Sequence, residues 1–270
     1  KMKEFFFDTA NLEYIKKTTE KLDGKIDFQL IKGITTNPNA FNKINENNLE
    51  RWLEIAENLG QFLFDLRGDN KGEVHIQLPN SEIEIDLAIK FADYISQLSG
   101  DRMTVGMKIP PKLQILEKID ILKEMVLTNV TGVSDPSTAL KCITFNVDYV
   151  SLIPGRMEEV GIDAKRLMAF LFTSNHGNTK IISGSMRTIE QLIWTFQLNT
   201  VPTIGEKVFD LMFENDNLNK LINIDYDFDF DVEDFSPNID EKSIKLSTDF
   251  FDQMNELGLT AYKEFRNNNK

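Results

Sequence analysis

A lysine stands inside Val105-Gly106-Met107-Lys108-Ile109-Pro110, a β-like apolar run where a cationic side chain is out of place. An ammonium moved into apolar surroundings has its pKa pushed down, leaving a neutral amine able to attack a carbonyl. The plainer reading is a lysine that snorkels to the surface or pairs with a carboxylate. Asp8 follows Phe5-Phe6-Phe7. Its carboxylate could hold or exchange protons with a substrate hydroxyl, and it could equally cap the helix that follows. Thr35 and Asn37 belong to Thr35-Thr36-Asn37-Pro38, a turn sequence whose side chains commonly bond local backbone. Gln77, Asn129 with Thr131, and Ser151 stand at the ends of other strand-like runs. Taken singly, Gln77 reads as the last residue of a half-exposed strand, and Asn129 and Thr131 as shapers of a loop.

Arg156, Ser185 and Arg187 form a set of another kind. Two arginines gathered in an otherwise acidic chain suit a phosphorylated substrate, and Arg187 lies near a helix start whose amides favour anions. As surface ion-pair partners they would carry no such meaning. Cys142, the one cysteine, sits in a periodic apolar segment and reads as a small buried thiol in a reducing cytoplasm. Two histidines, His75 and His176, are too few for a His-rich metal centre, and most His-based triads are unpromising. His75 reads as lying within the third strand with a parity opposite to a rim position, and His176 as part of a loop. Structural or solvated roles are expected of both, and no metal or cofactor is expected.

These residues need a scaffold that gathers them. Strand-like runs recur at residues 5–7, 30–34, 74–78, 103–109, 125–130, 147–152, 180–183 and 200–203, with an amphipathic helical pattern after each. Leu49, Trp52, Leu53, Ala56 and Leu59, for example, share one helix face. Ser134-Asp135-Pro136 signals a helix start, and Thr188 with Gln191 has capping-box spacing. Eight such units in about 215 residues predict an α/β chain folded as a (β/α)8 TIM barrel. An open doubly wound sheet would want a Gly-x-Gly-x-x-Gly turn after the first strand, where the chain reads Asp8-Thr9-Ala10-Asn11. In a barrel, the polar residues named above meet at the C-terminal rim, where so many buried polar groups must bind each other or a ligand.

The barrel is expected to span residues 1–215, and residues 216–270 to form an appended arm ending in a helix. Residues 224–232 alternate apolar and acidic, as an extended segment would, and Ile244, Phe250, Phe251, Met254 and Leu257 mark the helix. About 55 residues make a thin independent core, so the arm should pack on the barrel or on a neighbouring subunit of a homo-oligomer. The chain of 270 residues is 41% hydrophobic and 27% charged, the composition of a soluble globular protein. Thirty basic residues against 43 acidic ones leave a net charge of −13, which repels nucleic-acid backbones. The longest apolar run, residues 167–172, is far too short to span a membrane, and no secretory leader is expected from the opening Lys-Met-Lys-Glu. A cytoplasmic location is expected.

Assembled in order, the motifs resemble the transaldolase family, especially its small-subunit branch that includes fructose-6-phosphate aldolase. The resemblance covers residues 5–213 and rests on Phe7-Asp8-Thr9-Ala10-Asn11, Gly33-Ile34-Thr35-Thr36-Asn37-Pro38, Met107-Lys108-Ile109-Pro110, Thr128-Asn129-Val130-Thr131, Tyr149-Val150-Ser151 and Gly155-Arg156. It implies a metal-free mechanism in which Lys108 forms a Schiff base with a ketose phosphate and Asp8 acts as general base and acid. Gln77 and Thr131 would hold the catalytic water. Thr35, Asn37, Asn129 and Ser151 would bind substrate hydroxyls and position the lysine; Arg156, Ser185 and Arg187 would hold the phosphate of a phosphorylated sugar. Two departures pull apart. Gln77 stands where transaldolases usually carry glutamate and fructose-6-phosphate aldolases glutamine. Ile153 replaces an aromatic residue, tyrosine in the aldolases, which argues against efficient release of free dihydroxyacetone. The resemblance favours transfer of a dihydroxyacetone unit to an aldose phosphate; the alternatives are an aldolase and, in another class, a non-catalytic sugar-phosphate-binding or scaffolding barrel.

Overall fold

A computed structural model describes residues 2–174, 177–226 and 241–269. Strands β1 (Phe5–Asp8), β2 (Ile31–Thr35), β3 (Gly72–Gln77), β4 (Met103–Ile109), β5 (Leu127–Val133), β6 (Tyr149–Leu152), β7 (Lys180–Ser183) and β8 (Val201–Gly205) are parallel and close into a barrel in chain order. Between and around them run α1 (Leu12–Leu22), α2 (Pro38–Asn42), α3 (Leu49–Leu66), α4 (Ile85–Ser96), α5 (Leu113–Leu116), α6 (Ile119–Lys123) and α7 (Pro136–Thr144). The second half adds α8 (Pro154–Glu159), α9 (Ala164–Ser174), α10 (Ile189–Gln197), α11 (Glu206–Met212), α12 (Asn217–Ile222), α13 (Glu241–Leu257) and α14 (Leu259–Asn268). The chain is a (β/α)8 barrel, as its alternating pattern predicts. Among the described residues no helix is long and apolar enough to cross a membrane.

The period of two along each strand decides what faces the barrel interior. Phe5 and Phe7 point outward, and Phe7 stacks on Phe209 of α11 at 4.4 Å. Phe6 points inward, into a cluster with Tyr149 and Ile182. All three phenylalanines are fully buried, each contributing about 2–3 kcal/mol by leaving water. The same parity brings Asp8 to the inner rim beside Thr35, its partner in register. Gln77 pairs with Lys108, and Lys108 with Asn129. His75 has the reverse of its expected parity. His75 lies two residues before Gln77, the last residue of β3, so it shares the inward face instead of opposing it. Its ring is fully buried between Phe6 and Tyr149, with centroids 5.1 Å from each.

Helix starts follow the local chemistry. Asn11, not Asp8, caps α1, accepting the Tyr14 amide at 3.1 Å. Asn37 caps α2 and Asp135 caps α7, each followed by a proline in the first turn, and the Thr188–Gln191 capping box opens α10. The segment after β4 breaks into two short helices, α5 and α6, where one periodic pattern suggested a single helix. Cys142 is buried, and burial pushes its thiol up to about 12.

The tail ends in two helices. They part at Gly258, where an added Cβ would run into the Pro79 carbonyl. Helix α13 crosses the C-terminal end of this chain's own barrel. Ser247 donates to the Gly132 carbonyl at 3.0 Å, and Ser134 donates to the Ser243 carbonyl at 2.7 Å. Gly132 adopts a φ of +71°, and a side chain there would collide with Phe250 and Phe251. Helix α14 lies on α3, whose first amide, that of Leu49, donates to the Glu264 carboxylate at 3.0 Å, and Phe265 packs edge-on to Phe91. His176 and most of the alternating segment expected to be extended, residues 227–232, lie outside the described residues.

Candidate active site

The inner pocket at the barrel mouth is lined by Asp8, Thr35, Asn37, Lys108, Thr131, Ser151 and Ser185. Lys108 is 7% exposed, and its Nζ donates to the Thr36 carbonyl at 3.1 Å. It does not snorkel. Burial lowers the pKa of its ammonium, and the nearby Asp8 carboxylate acts against that shift to a smaller extent. Asp8 is held by two donors from β2 and the turn after it, Thr35 Oγ1 at 3.1 Å and Asn37 Nδ2 at 3.4 Å. Asn37 therefore serves twice, since its Oδ1 also accepts the Ala40 amide as the cap of α2.

Gln77 adjoins this pocket from β3. It shares a small recess with Lys108 and Thr131, and its Oε1 is buried with no hydrogen-bond partner among the described residues. A buried carbonyl oxygen without a donor is costly, and it marks a place for a polar guest. Asn129 does not line the pocket. It lies fully buried beneath it, accepting the Ser151 hydroxyl at 2.6 Å and meeting His75 Nδ1 at 2.9 Å.

Outward of Lys108 the pocket opens into a cleft of about 530 Å³ lined by Asp8, Lys43, Arg156, Ser185, Arg187 and Lys207, among others. Arg156 stacks over Phe250, with 5.3 Å between guanidinium carbon and ring centroid, and donates to Gln253 Oε1 at 3.0 Å. Its Nε is buried and unpartnered among the described residues. Burial and the neighbouring Arg187 both lower the pKa of Arg156. Arg187 is turned toward Glu159, 2.9 Å away, and the Ser185 carbonyl, 3.0 Å away.

The sequence reading missed Lys43, Lys207 and Phe250 as walls of this cleft, and Gln253 as the partner of Arg156. Lys207 lies just past the end of β8 and obeys the same strand-end rule as the others. Phe250 and Gln253 carried no such signal, because Gln253 is 97 positions from the arginine it meets.

Helix α8, which carries Arg156, touches the loop that carries Arg187 through glycine. A Cβ on Gly155 would fall on the Ser185 carbonyl. Gly155→Ala is expected to force α8 and this loop apart and cost about 1–3 kcal/mol, read as a lower urea midpoint. An unchanged midpoint would contradict this close approach.

A buried amine beside a carboxylate, with amides and hydroxyls around it and a cationic cleft outside, is equipped to condense with the carbonyl of a hydroxyl-rich anion. Residues 5–268 match the family model described as Transaldolase/Fructose-6-phosphate aldolase, a span that takes in α13 and α14. A protein of Petrotoga mobilis named "Probable transaldolase" is 28% identical over 216 residues, 78% of this chain and 88% of its own length. One of the same name from Lachnoclostridium phytofermentans is 31% identical over 188 residues, 68% of this chain and 77% of its own. The tryptophan synthase A-subunit of Pyrococcus furiosus shares the fold, with a TM-score of 0.50 at 11% identity over 80% of this chain and 91% of that one.

Proposed function

Because the chain belongs to the transaldolase/fructose-6-phosphate aldolase family, we propose that it transfers a dihydroxyacetone unit between phosphorylated sugars through a Schiff base on Lys108. The observation that carries this reading is the depth of Lys108: an amine 7% exposed, its pKa lowered by burial, in one pocket with the Asp8 carboxylate. The neutral amine attacks the C2 carbonyl of a ketose phosphate such as fructose 6-phosphate or sedoheptulose 7-phosphate. The carbinolamine loses water to form an iminium. Asp8 takes the proton of the C4 hydroxyl, the C3–C4 bond breaks, and its electron pair moves into the iminium to give an enamine. An aldose phosphate leaves. The enamine carbon then attacks the aldehyde of the acceptor aldose phosphate, Asp8 returns its proton to the new hydroxyl, and water hydrolyses the iminium to free the product.

Gln77 and Thr131 hold the water that serves imine formation and hydrolysis, a role supported by the unpartnered Gln77 Oε1 beside Lys108. Thr35 and Asn37 steady Asp8 and receive sugar hydroxyls, and Ser151, backed by Asn129, receives another. Arg156, Ser185 and Arg187 take the phosphate; Arg156 must exchange its Gln253 partner for it, and Arg187 must turn from Glu159. Ile153 lines the inner pocket with an apolar side chain and offers no hydroxyl to a water there, which favours transfer over release of free dihydroxyacetone.

Borohydride reduction in the presence of fructose 6-phosphate is expected to fix a covalent adduct on the peptide that contains Lys108. An adduct mapped to any other lysine would overturn the assignment. Turnover is expected to depend on an added acceptor such as erythrose 4-phosphate; equal consumption of fructose 6-phosphate without it would identify an aldolase instead.

A further inference from the structure

We infer that His75 is a positioning residue, one that fixes which end of the Asn129 amide faces Ser151 and thereby makes Ser151 a hydrogen-bond acceptor toward the sugar. The inference deepens the transferase reading above and rests on it. It begins with a missing side chain. Gly106 on β4 stands beside His75 in register, between β3 and β5, and a Cβ there would lie 2.7 Å from His75 Cδ2 and 2.8 Å from Cγ. The bare glycine lets the imidazole lean across β4 and reach Asn129 on β5.

The ring is held at both nitrogens. Nε2 is 3.0 Å from Glu73 Oε2, and Nδ1 is 2.9 Å from Asn129 Nδ2. Glu73 also meets Lys32 at 3.0 Å and accepts from the Tyr149 hydroxyl at 2.8 Å. Burial works against its charge, yet Lys32 and the Tyr149 hydroxyl favour the ionised carboxylate. Facing a carboxylate that only accepts, Nε2 carries a proton; facing the NH2 group of Asn129, which only donates, Nδ1 offers a lone pair. That lone pair selects the NH2 end of Asn129, which leaves Oδ1 to accept the Ser151 hydroxyl at 2.6 Å. All three bonds donate in one direction, from Ser151 toward Glu73. The Ser151 proton is committed, and only its lone pairs remain for a ligand. The site thus takes a donating hydroxyl at this position, and an oxygen without a hydrogen is rejected.

Phenylalanine at position 75 keeps the ring between Phe6 and Tyr149 but frees the Asn129 amide to turn. His75→Phe is expected to lower kcat about 10- to 100-fold, with KM changed less than threefold. His75→Asn, whose Oδ1 occupies the place of Nδ1, is expected to recover at least half of that loss on a logarithmic scale. Wild-type kcat in His75→Phe, or no recovery in His75→Asn, overturns the proposal. A structural role alone would move stability without this split and without rescue. Should the phenylalanine variant fail to fold, ¹⁵N NMR of the imidazoles decides. The chain has two histidines, so a His176→Gln variant assigns both. Protonation at Nε2 in the wild-type protein is expected, and a proton on Nδ1 overturns the proposal. Absence of any borohydride adduct in wild type would sink the transferase reading instead, while the NMR result still reports the polarity of the chain of bonds.

Discussion

Replacing Lys108 by methionine is expected to lower turnover by roughly 10⁴-fold or more and to remove the borohydride adduct, while leaving the fold no less stable near neutral pH. Methionine fills the same unbranched volume without an amine. The stability side follows from linkage. Burial lowers the pKa of Lys108 in the fold below its ordinary value of 10.5. Between those two values the unfolded chain binds more protons than the folded one, so wild-type stability rises with pH across that window. Below the lowered pKa the full cost of a buried ammonium is present. The methionine variant lacks this dependence. The gap in its favour should be widest on the acid side and close as the pH climbs toward 10.5, which urea midpoints from about pH 6 to about pH 9 would follow. A variant that loses activity by unfolding, or one whose stability tracks wild type at every pH, would contradict a buried, uncharged amine.

Asp8→Asn is expected to separate two steps that Lys108→Met abolishes together. Asparagine keeps an oxygen for Thr35 and Asn37 but accepts no proton from the sugar hydroxyl. Cleavage should fall about 10²- to 10⁴-fold, the usual worth of a general base. Imine formation should persist. Borohydride then traps the whole six-carbon sugar phosphate on Lys108, where wild type without an acceptor yields the three-carbon fragment, and intact mass distinguishes the two. The substitution also removes the negative charge that raises the Lys108 pKa. That pKa falls further, so the acid limb of adduct formation should move to lower pH. A six-carbon adduct equally abundant in wild type would show that Asp8 is not the base for cleavage. A limb displaced upward would contradict the electrostatic coupling of the pair.

Much of this molecule is legible as a string of residues. The strand and helix order, the closure implied by eight repeats, and the helix starts at Asp135 and Thr188 all follow from short-range chemistry: a period of two, a period of 3.6, and side chains that satisfy free amides. The strand-end rule gathers Asp8, Thr35, Lys108, Thr131 and Ser151 into one pocket because every parallel strand ends on the same side. His75 is the exception: two residues before Gln77 on β3 it shares that inward face, where the opposite parity is expected.

What the sequence by itself determined, then, is which side chains a barrel would present at its mouth, for alternation is a property of the chain a few residues at a time. Only the tertiary structure decided how deep Lys108 sits, that α13 lays Phe250 and Gln253 against Arg156, and that Gly106 opens a way for His75 to Asn129. Burial and long-range contact are set by the closed curvature of the whole sheet and by segments far apart in the chain, and no local pattern records either.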